Sequence, residues 1–160
     1  IARDIILSAD LVINIVDAVH LERDLFLTQQ IIDTGVPVVV ALNMMDESKL
    51  HGREIDLDLL SDLLGVPVVP TVATQKSGIE DLKASIAKAR PGHIDPELHK
   101  RLHLLHDRVG SQGEALLILE GDPIVAERHG IEPGAEREEI YLLRRDKVND
   151  IVTGTSGEDE

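Results

Sequence analysis

The chain has no cysteine, no tryptophan and only two aromatic residues, Phe26 and Tyr141. Without cysteine there is neither a disulfide framework nor thiolate chemistry, a composition compatible with the cytosol. Without exposed rings there is no platform on which nucleic-acid bases could stack. Positive charge is also scarce: 16 Lys and Arg against 30 Asp and Glu give a net charge of −14. Binding to nucleic-acid backbones or anionic lipid takes clustered cations, so both are disfavoured, and no nucleic-acid partner is expected. No run approaches the roughly 20 apolar residues that span a bilayer, and no secretory leader is visible. The 160 residues contain no G-x-x-x-x-G-K-[ST] phosphate loop and no Asp-x-x-Gly segment placed to follow a γ-phosphate. No Ser/His/Asp or paired-carboxylate constellation stands out.

Leu, Ile, Val and Ala must therefore build the core. Two β-branched runs are prominent: Leu11 to Val16 ending in Asp17, and Val36 to Leu42 ending in Asn43-Met44-Met45-Asp46. A shorter one follows at Val66 to Pro70. Continuous apolar runs of this length read as buried parallel strands. Between them, Leu21, Leu25, Thr28, Ile31 and Ile32 fall at helical spacing up to Gly35, and Ile55 to Leu64 form an amphipathic helix stopped by Gly65. Ile79 to Ala89 predicts a further helix. Strand and helix alternate over residues 9 to 90, which implies parallel strands with right-handed crossovers. Three strands make a thin sheet, and further strands are expected upstream of Ile1.

After Pro91 the strand pattern stops. Pro96 suits a helical first turn, and Leu98, Leu102, Leu105 and Val109 supply an apolar face. Helices are predicted at Ala115 to Leu119, from Asp122-Pro123 to near Gly130, and from Arg137 to Val152, with Ile140, Leu143, Val148 and Ile151 inward. The expected division is an α/β unit at 1–91, a small all-helical domain at 92–152, and a flexible tail at 153–160 made of Gly, Ser, Thr and acids.

Open α/β sheets hold ligands beyond the carboxyl ends of their strands, where Asn43 and Asp46 stand. A carboxylate accepts at two oxygens, so Asp46 could take two N–H donors from one planar edge, such as the ring N–H and amine of guanine. The alternative is that Asn43 and Asp46 only turn the chain, with Met44 and Met45 as filler. The loop Thr71-Val72-Ala73-Thr74 leaves the same rim, and the Ala73 N–H could meet a carbonyl oxygen. Asp10 reads as a turn residue and Asp17 as a helix cap. His99, His103 and His106 share one helical face at i, i+4 and i+7, either as weak metal-ligand candidates or as a solvated face.

Asn43-Met44-Met45-Asp46 resembles the N-K-x-D guanine motif of small GTPases, with Met44 in the Lys position. Together with Asp10 to Ala18, Leu21 to Leu25, Ala41 to Glu47, Gly65 to Thr71, Ser77 to Ile79 and Leu119 to Asp122, it is similar to one family. That family is the cytosolic GTPase region of the bacterial ferrous iron transport protein B. The resemblance implies a partial P-loop-GTPase-like sheet, comprising the C-terminal half of a G domain, followed by a helical spacer likened to a nucleotide dissociation inhibitor. It implies GTP or GDP as ligand, Mg²⁺ held outside this chain, and a guanine site of Asn43, Met44, Asp46, Thr71, Val72 and Ala73. Val72 stands where the family has Ser. It further implies a membrane-spanning iron permease domain in the same polypeptide, at the cytoplasmic face of the inner membrane, with self-association open. Lacking a phosphate loop, these residues are expected not to hydrolyse GTP alone. The competing readings are a non-enzymatic coupling module and a metal-responsive module on the three histidines.

Overall fold

The computed structural model describes residues 2–44, 54–72 and 76–156. Among them, strands β1 (Val12–Asp17), β2 (Val38–Asn43) and β3 (Val68–Thr71) form one sheet in the order β1-β2-β3. All pairings are parallel, and the register sets Asp17 beside Asn43 and Asn43 beside Thr71. The three carboxyl ends therefore lie in one row. Helix α1 (Ala2–Ser8) precedes the sheet, α2 (Leu21–Asp33) joins β1 to β2, α3 (Leu57–Leu64) precedes β3, and α4 (Ile79–Ser85) follows it. Helices α5 (Pro96–Val109), α6 (Gln112–Leu119), α7 (Pro123–Arg128) and α8 (Arg137–Thr155) complete the chain.

Local chemistry explains where these elements start and stop. Asp56, Asp95, Ser111 and Asp122 each accept a first-turn backbone N–H through the side chain, satisfying donors that the helix leaves open. Pro96 and Pro123 occupy first-turn positions where no N–H is needed. Gly65 ends α3 in the left-handed region, at φ 78°, where a side chain would be strained.

Val16, Val38, Val40 and Leu42 from one sheet face pack against Leu25 and Ile32 of α2 and Leu60 and Leu64 of α3. Val148, Ile151 and Val152 of α8 join this same core. The expected divide at residue 91 is thus crossed by α8, which returns to the sheet unit after α5–α7 have built two smaller clusters. The expected tail at 153–160 also begins later. Helix α8 runs through Thr155, and Thr155 and Ser156 are buried. Their hydroxyls donate to the carbonyls of Ile151 and Val152, so small polar residues cap a packed helix end. Residues 157–160 lie outside the described residues. Helix α6 starts at Gln112, earlier than the predicted Ala115, and at Gly113 within it a Cβ would come 2.6 Å from Leu7 Cδ2.

On the opposite sheet face, Ile13 and Ile15 of β1 are exposed, Ile15 to 72%. Among the described residues strand β1 pairs only with β2, and none of them adds a strand to its other edge. No helix among the described residues is long and apolar enough to cross a membrane.

Candidate functional site

The rim is assembled from the last residue of each strand. Asp17 caps a single 3-10 turn (Ala18–His20), accepting the Val19 N–H at 2.9 Å, as its sequence position suggested. Its own N–H donates to Asp24 of α2 at 2.9 Å. Beside it, Asn43 is half-buried at the end of β2. Alternation of side chains along the strand puts Asn43 on the face opposite α2, together with Asp17 and Thr71. Met44 leaves the strand with its N–H donating to the Thr71 carbonyl at 2.8 Å, while its side chain packs on the sheet core.

Thr71 is buried, and its hydroxyl donates to the Leu42 carbonyl at 3.4 Å. It braces the rim from inside and offers no group outward. Val72 and Ser77 exchange two backbone bonds, at 3.0 and 3.2 Å, that close the base of the loop between them. Gly78 follows at φ 85°, where a Cβ would come 2.3 Å from the Pro70 carbonyl oxygen. The Met44–Thr71 bond thus joins the two strand ends at which the segments after β2 and β3 begin. Asp46 and Ala73 lie outside the described residues. A crevice of about 640 Å³ opens next to the rim, lined in part by His20, Arg23, Phe26, Ile55, Tyr141 and Arg145.

The histidines do not converge. His99, His103 and His106 are all exposed on α5, and the His99 and His103 rings lie 6.5 Å apart, near parallel. Among the described residues no group of three His, Asp or Glu side chains could hold a metal ion. Helical spacing puts these rings on one face, but among the described residues they belong to no metal-holding group.

The sequence reading missed the polar seam between α2 and α8. Arg144 Nε donates to Asp33 Oδ2 at 2.8 Å, with both side chains at most 3% exposed. Arg144 Nη2 reaches Glu120 Oε1 at 3.3 Å. Gln29 Nε2 donates to Asp33 Oδ1 at 2.8 Å and to the His93 carbonyl at 3.0 Å. Lys147 also donates to the His93 carbonyl, and Gln112 to the Asp33 carbonyl. The Arg144 guanidinium lies 5.8 Å from the Phe26 ring centroid. Burial pushes Asp33 above the usual carboxylate range, against the pull of Arg144 and the Gln29 bond. Burial likewise raises Glu120, again opposed by Arg144, and lowers Lys147. One signal was available: Ile140, Arg144, Val148 and Val152 recur every four residues, so a charge stood within an apolar stripe.

The sequence profile of the family described as ferrous iron transport protein B matches residues 1–86. The Fe(2+) transporter FeoB of Salmonella typhimurium is 53% identical over 79 residues, which cover 49% of this chain and 10% of that protein. The Escherichia coli K12 transporter of the same name is 44% identical over 100 residues, 62% of this chain and 13% of that protein. The matched parts are thus about a tenth of the length of these relatives. Among solved structures, the cytosolic domain of T. maritima FeoB in a GDP form superposes with a TM-score of 0.80 at 27% identity, over 96% of this chain and 70% of that one. The L. pneumophila FeoB cytosolic domain gives 0.76 at 29% identity, over 97% and 72%.

Proposed function

Because the chain belongs to the ferrous iron transport protein B family, we propose that it supplies the base-recognition side of a GTP-hydrolysing module of ferrous iron transport. In this reading residues 1–91 are the C-terminal half of a G domain and 92–152 its helical spacer, though α8 packs on both. The Asp46 carboxylate accepts the two guanine N–H groups. Asn43 meets the imidazole edge of the base, and the Ala73 N–H donates to the guanine oxygen. Met44 gives apolar contact only, while Thr71 and Val72 hold the second loop in place.

The observation that carries the reading is the register of β2 and β3. It sets Asn43 beside Thr71, and the Met44–Thr71 bond starts both loops from one point. The uncovered face of β1, with Ile13 and Ile15, is the seat for the phosphate-binding elements of such a module. T. maritima FeoB has been solved in GDP and GMPPNP forms, which supports a guanine nucleotide as the ligand. Phosphoryl transfer needs backbone donors, a Lys and Mg²⁺ around the phosphates. The residues present here do not fit that role, so the 160 residues alone turn over no GTP. In the intact polypeptide the module works at the cytoplasmic face of the membrane, alongside an iron-conducting permease domain.

Hydrogen bonds to a charged group contribute about 1.5–3 kcal/mol each. Losing both to an adenine edge leaves Asp46 unpaired, which separates the bases by a few kcal/mol. In a form of the protein that carries a phosphate loop, Asp46→Asn is expected to weaken guanine-nucleotide binding and improve xanthine-nucleotide binding, read by competition titration. An unchanged base preference overturns the assignment.

A further inference from the structure

The crevice of about 640 Å³ beside the rim is walled by two helices and has no part in the guanine reading. Its size falls within the roughly 300–1,000 Å³ of small-ligand sites. From α2 come Arg23 and Phe26, three positions apart and so on one helical face. From α8 come Tyr141, Arg145 and Asn149, at i, i+4 and i+8, which again share a face. Val148 and Val152, both buried, supply apolar lining.

The charge balance here is the reverse of the chain's. Acids outnumber Lys and Arg by 30 to 16 overall, yet the described lining holds two arginines and one carboxylate, Glu22. Arg23 Nε lies 3.0 Å from Asp24 Oδ1, and Arg145 Nη2 lies 3.3 Å from Asp146 Oδ1. These are pairs between adjacent residues, with the arginine side chains 69% and 49% exposed. Exposed pairs of this kind are weak and readily exchanged for another anion. Asp24 is moreover shared, since its other oxygen accepts the Asp17 N–H. Arg144 differs: its charge is matched in the interior by Asp33. Beside the arginines, the Phe26 and Tyr141 rings are in contact, and Tyr141 is 47% exposed. Among the described residues neither the Tyr141 hydroxyl nor the Asn149 amide has a hydrogen-bond partner.

One guanidinium matches the two oxygens of a carboxylate, whereas the three oxygens of a phosphate can take a guanidinium from each wall. We propose that this crevice binds a small organic phosphate carrying a flat ring, with the phosphate between Arg23 and Arg145 and the ring against Tyr141 and Phe26. Asn149 offers both a donor and an acceptor to the polar edge of such a ring. A single exposed ring is no track for the successive bases of a nucleic-acid strand, but it serves one small ligand. The site is separate from the Asn43–Asp46 corner and does not rest on the nucleotide reading. Its ligand joins α2 to α8.

The test is isothermal titration calorimetry on the 160-residue chain in phosphate-free buffer, with AMP, phenyl phosphate and inorganic phosphate as probes. An adenine edge leaves Asp46 unpaired, so AMP does not report the guanine corner. AMP and phenyl phosphate are expected to bind one per chain and to raise the thermal midpoint with concentration. Inorganic phosphate is expected to bind at least ten-fold more weakly than either. Arg23→Gln and Arg145→Gln, both at exposed positions, are each expected to weaken the ring-bearing probes about ten-fold, the loss of a hydrogen bond to a charged group. The midpoint of the free protein stays where it was. Tyr141→Leu is expected to weaken those probes about five-fold or more and to leave inorganic phosphate unchanged. AMP binding more tightly than phenyl phosphate upholds the site with a nucleotide as its source, and the opposite order upholds it with a smaller phosphorylated ring compound. Three results overturn the proposal: no saturable binding of either ring-bearing probe, binding indifferent to both arginine substitutions, or inorganic phosphate binding as well as phenyl phosphate, which leaves a charged patch only. None of them bears on the Asp46→Asn result.

Discussion

Asp33 and Glu120 keep their protons to higher pH than ordinary carboxylates, because desolvation outweighs the attraction of Arg144. The folded chain then binds protons that the unfolded chain has already released. The stability linked to these two groups is complete below the ordinary carboxylate range and is lost as pH rises through their folded values. Lys147 runs the other way: burial lowers it, so its contribution is present above the ordinary lysine range and is lost as pH falls through its folded value. A Glu120→Gln variant removes one of these titrations. The wild-type urea midpoint, relative to that variant, is expected to decline from acid toward neutral pH. Parallel profiles for the two proteins refute the assignment of Glu120 as a group raised by burial.

Among the three strands, β1 is the least covered. Among the described residues it pairs on one side only, and Ile15 projects from its open face at 72% exposure. An unpaired apolar edge is a template for another strand. The 160-residue chain is therefore expected to self-associate with rising concentration, and Ile15→Lys to suppress this while shifting stability by less than about 0.5 kcal/mol, as a surface change does. Sedimentation velocity and urea unfolding read the two quantities. Helix positions were largely legible beforehand, because Pro96 opens α5 and Asp122-Pro123 opens α7, each by a local rule. The end of α8 was not. Thr155 and Ser156 look like tail residues until their hydroxyls are seen bonded to carbonyls four residues back. At the rim, the neighbouring of Asn43 and Thr71 followed from strand ends alone. The Thr71 hydroxyl bond did not, since it goes to the Leu42 carbonyl of the neighbouring strand, a partner 29 positions away that no local pattern names. Asp33 and Arg144 are separated by 111 positions. No local pattern joins such a pair.

At the scale of the whole molecule, a net charge of −14 acts on every compact state of the chain. Self-repulsion opposes folding, and salt screens it. Between about 0.01 M and 0.15 M salt the screening length falls from roughly 30 Å to about 8 Å. The thermal midpoint is expected to rise by about 2–4 °C over that range, the shift that 1 kcal/mol produces at this size. Scanning calorimetry at fixed pH checks this, and a midpoint that falls with salt assigns the dominant electrostatic contribution to ion pairs such as Arg101–Glu139 instead.

The scarcity of aromatic residues has a practical corollary. The only phenylalanine and the only tyrosine meet across α2 and α8, with ring centroids 5.2 Å apart. With no tryptophan to mask it, emission excited in the tyrosine band of the unmodified protein comes from Tyr141. The chain thus carries its own optical gauge at the junction of these two helices. Separation of the helices can be timed without attaching a label.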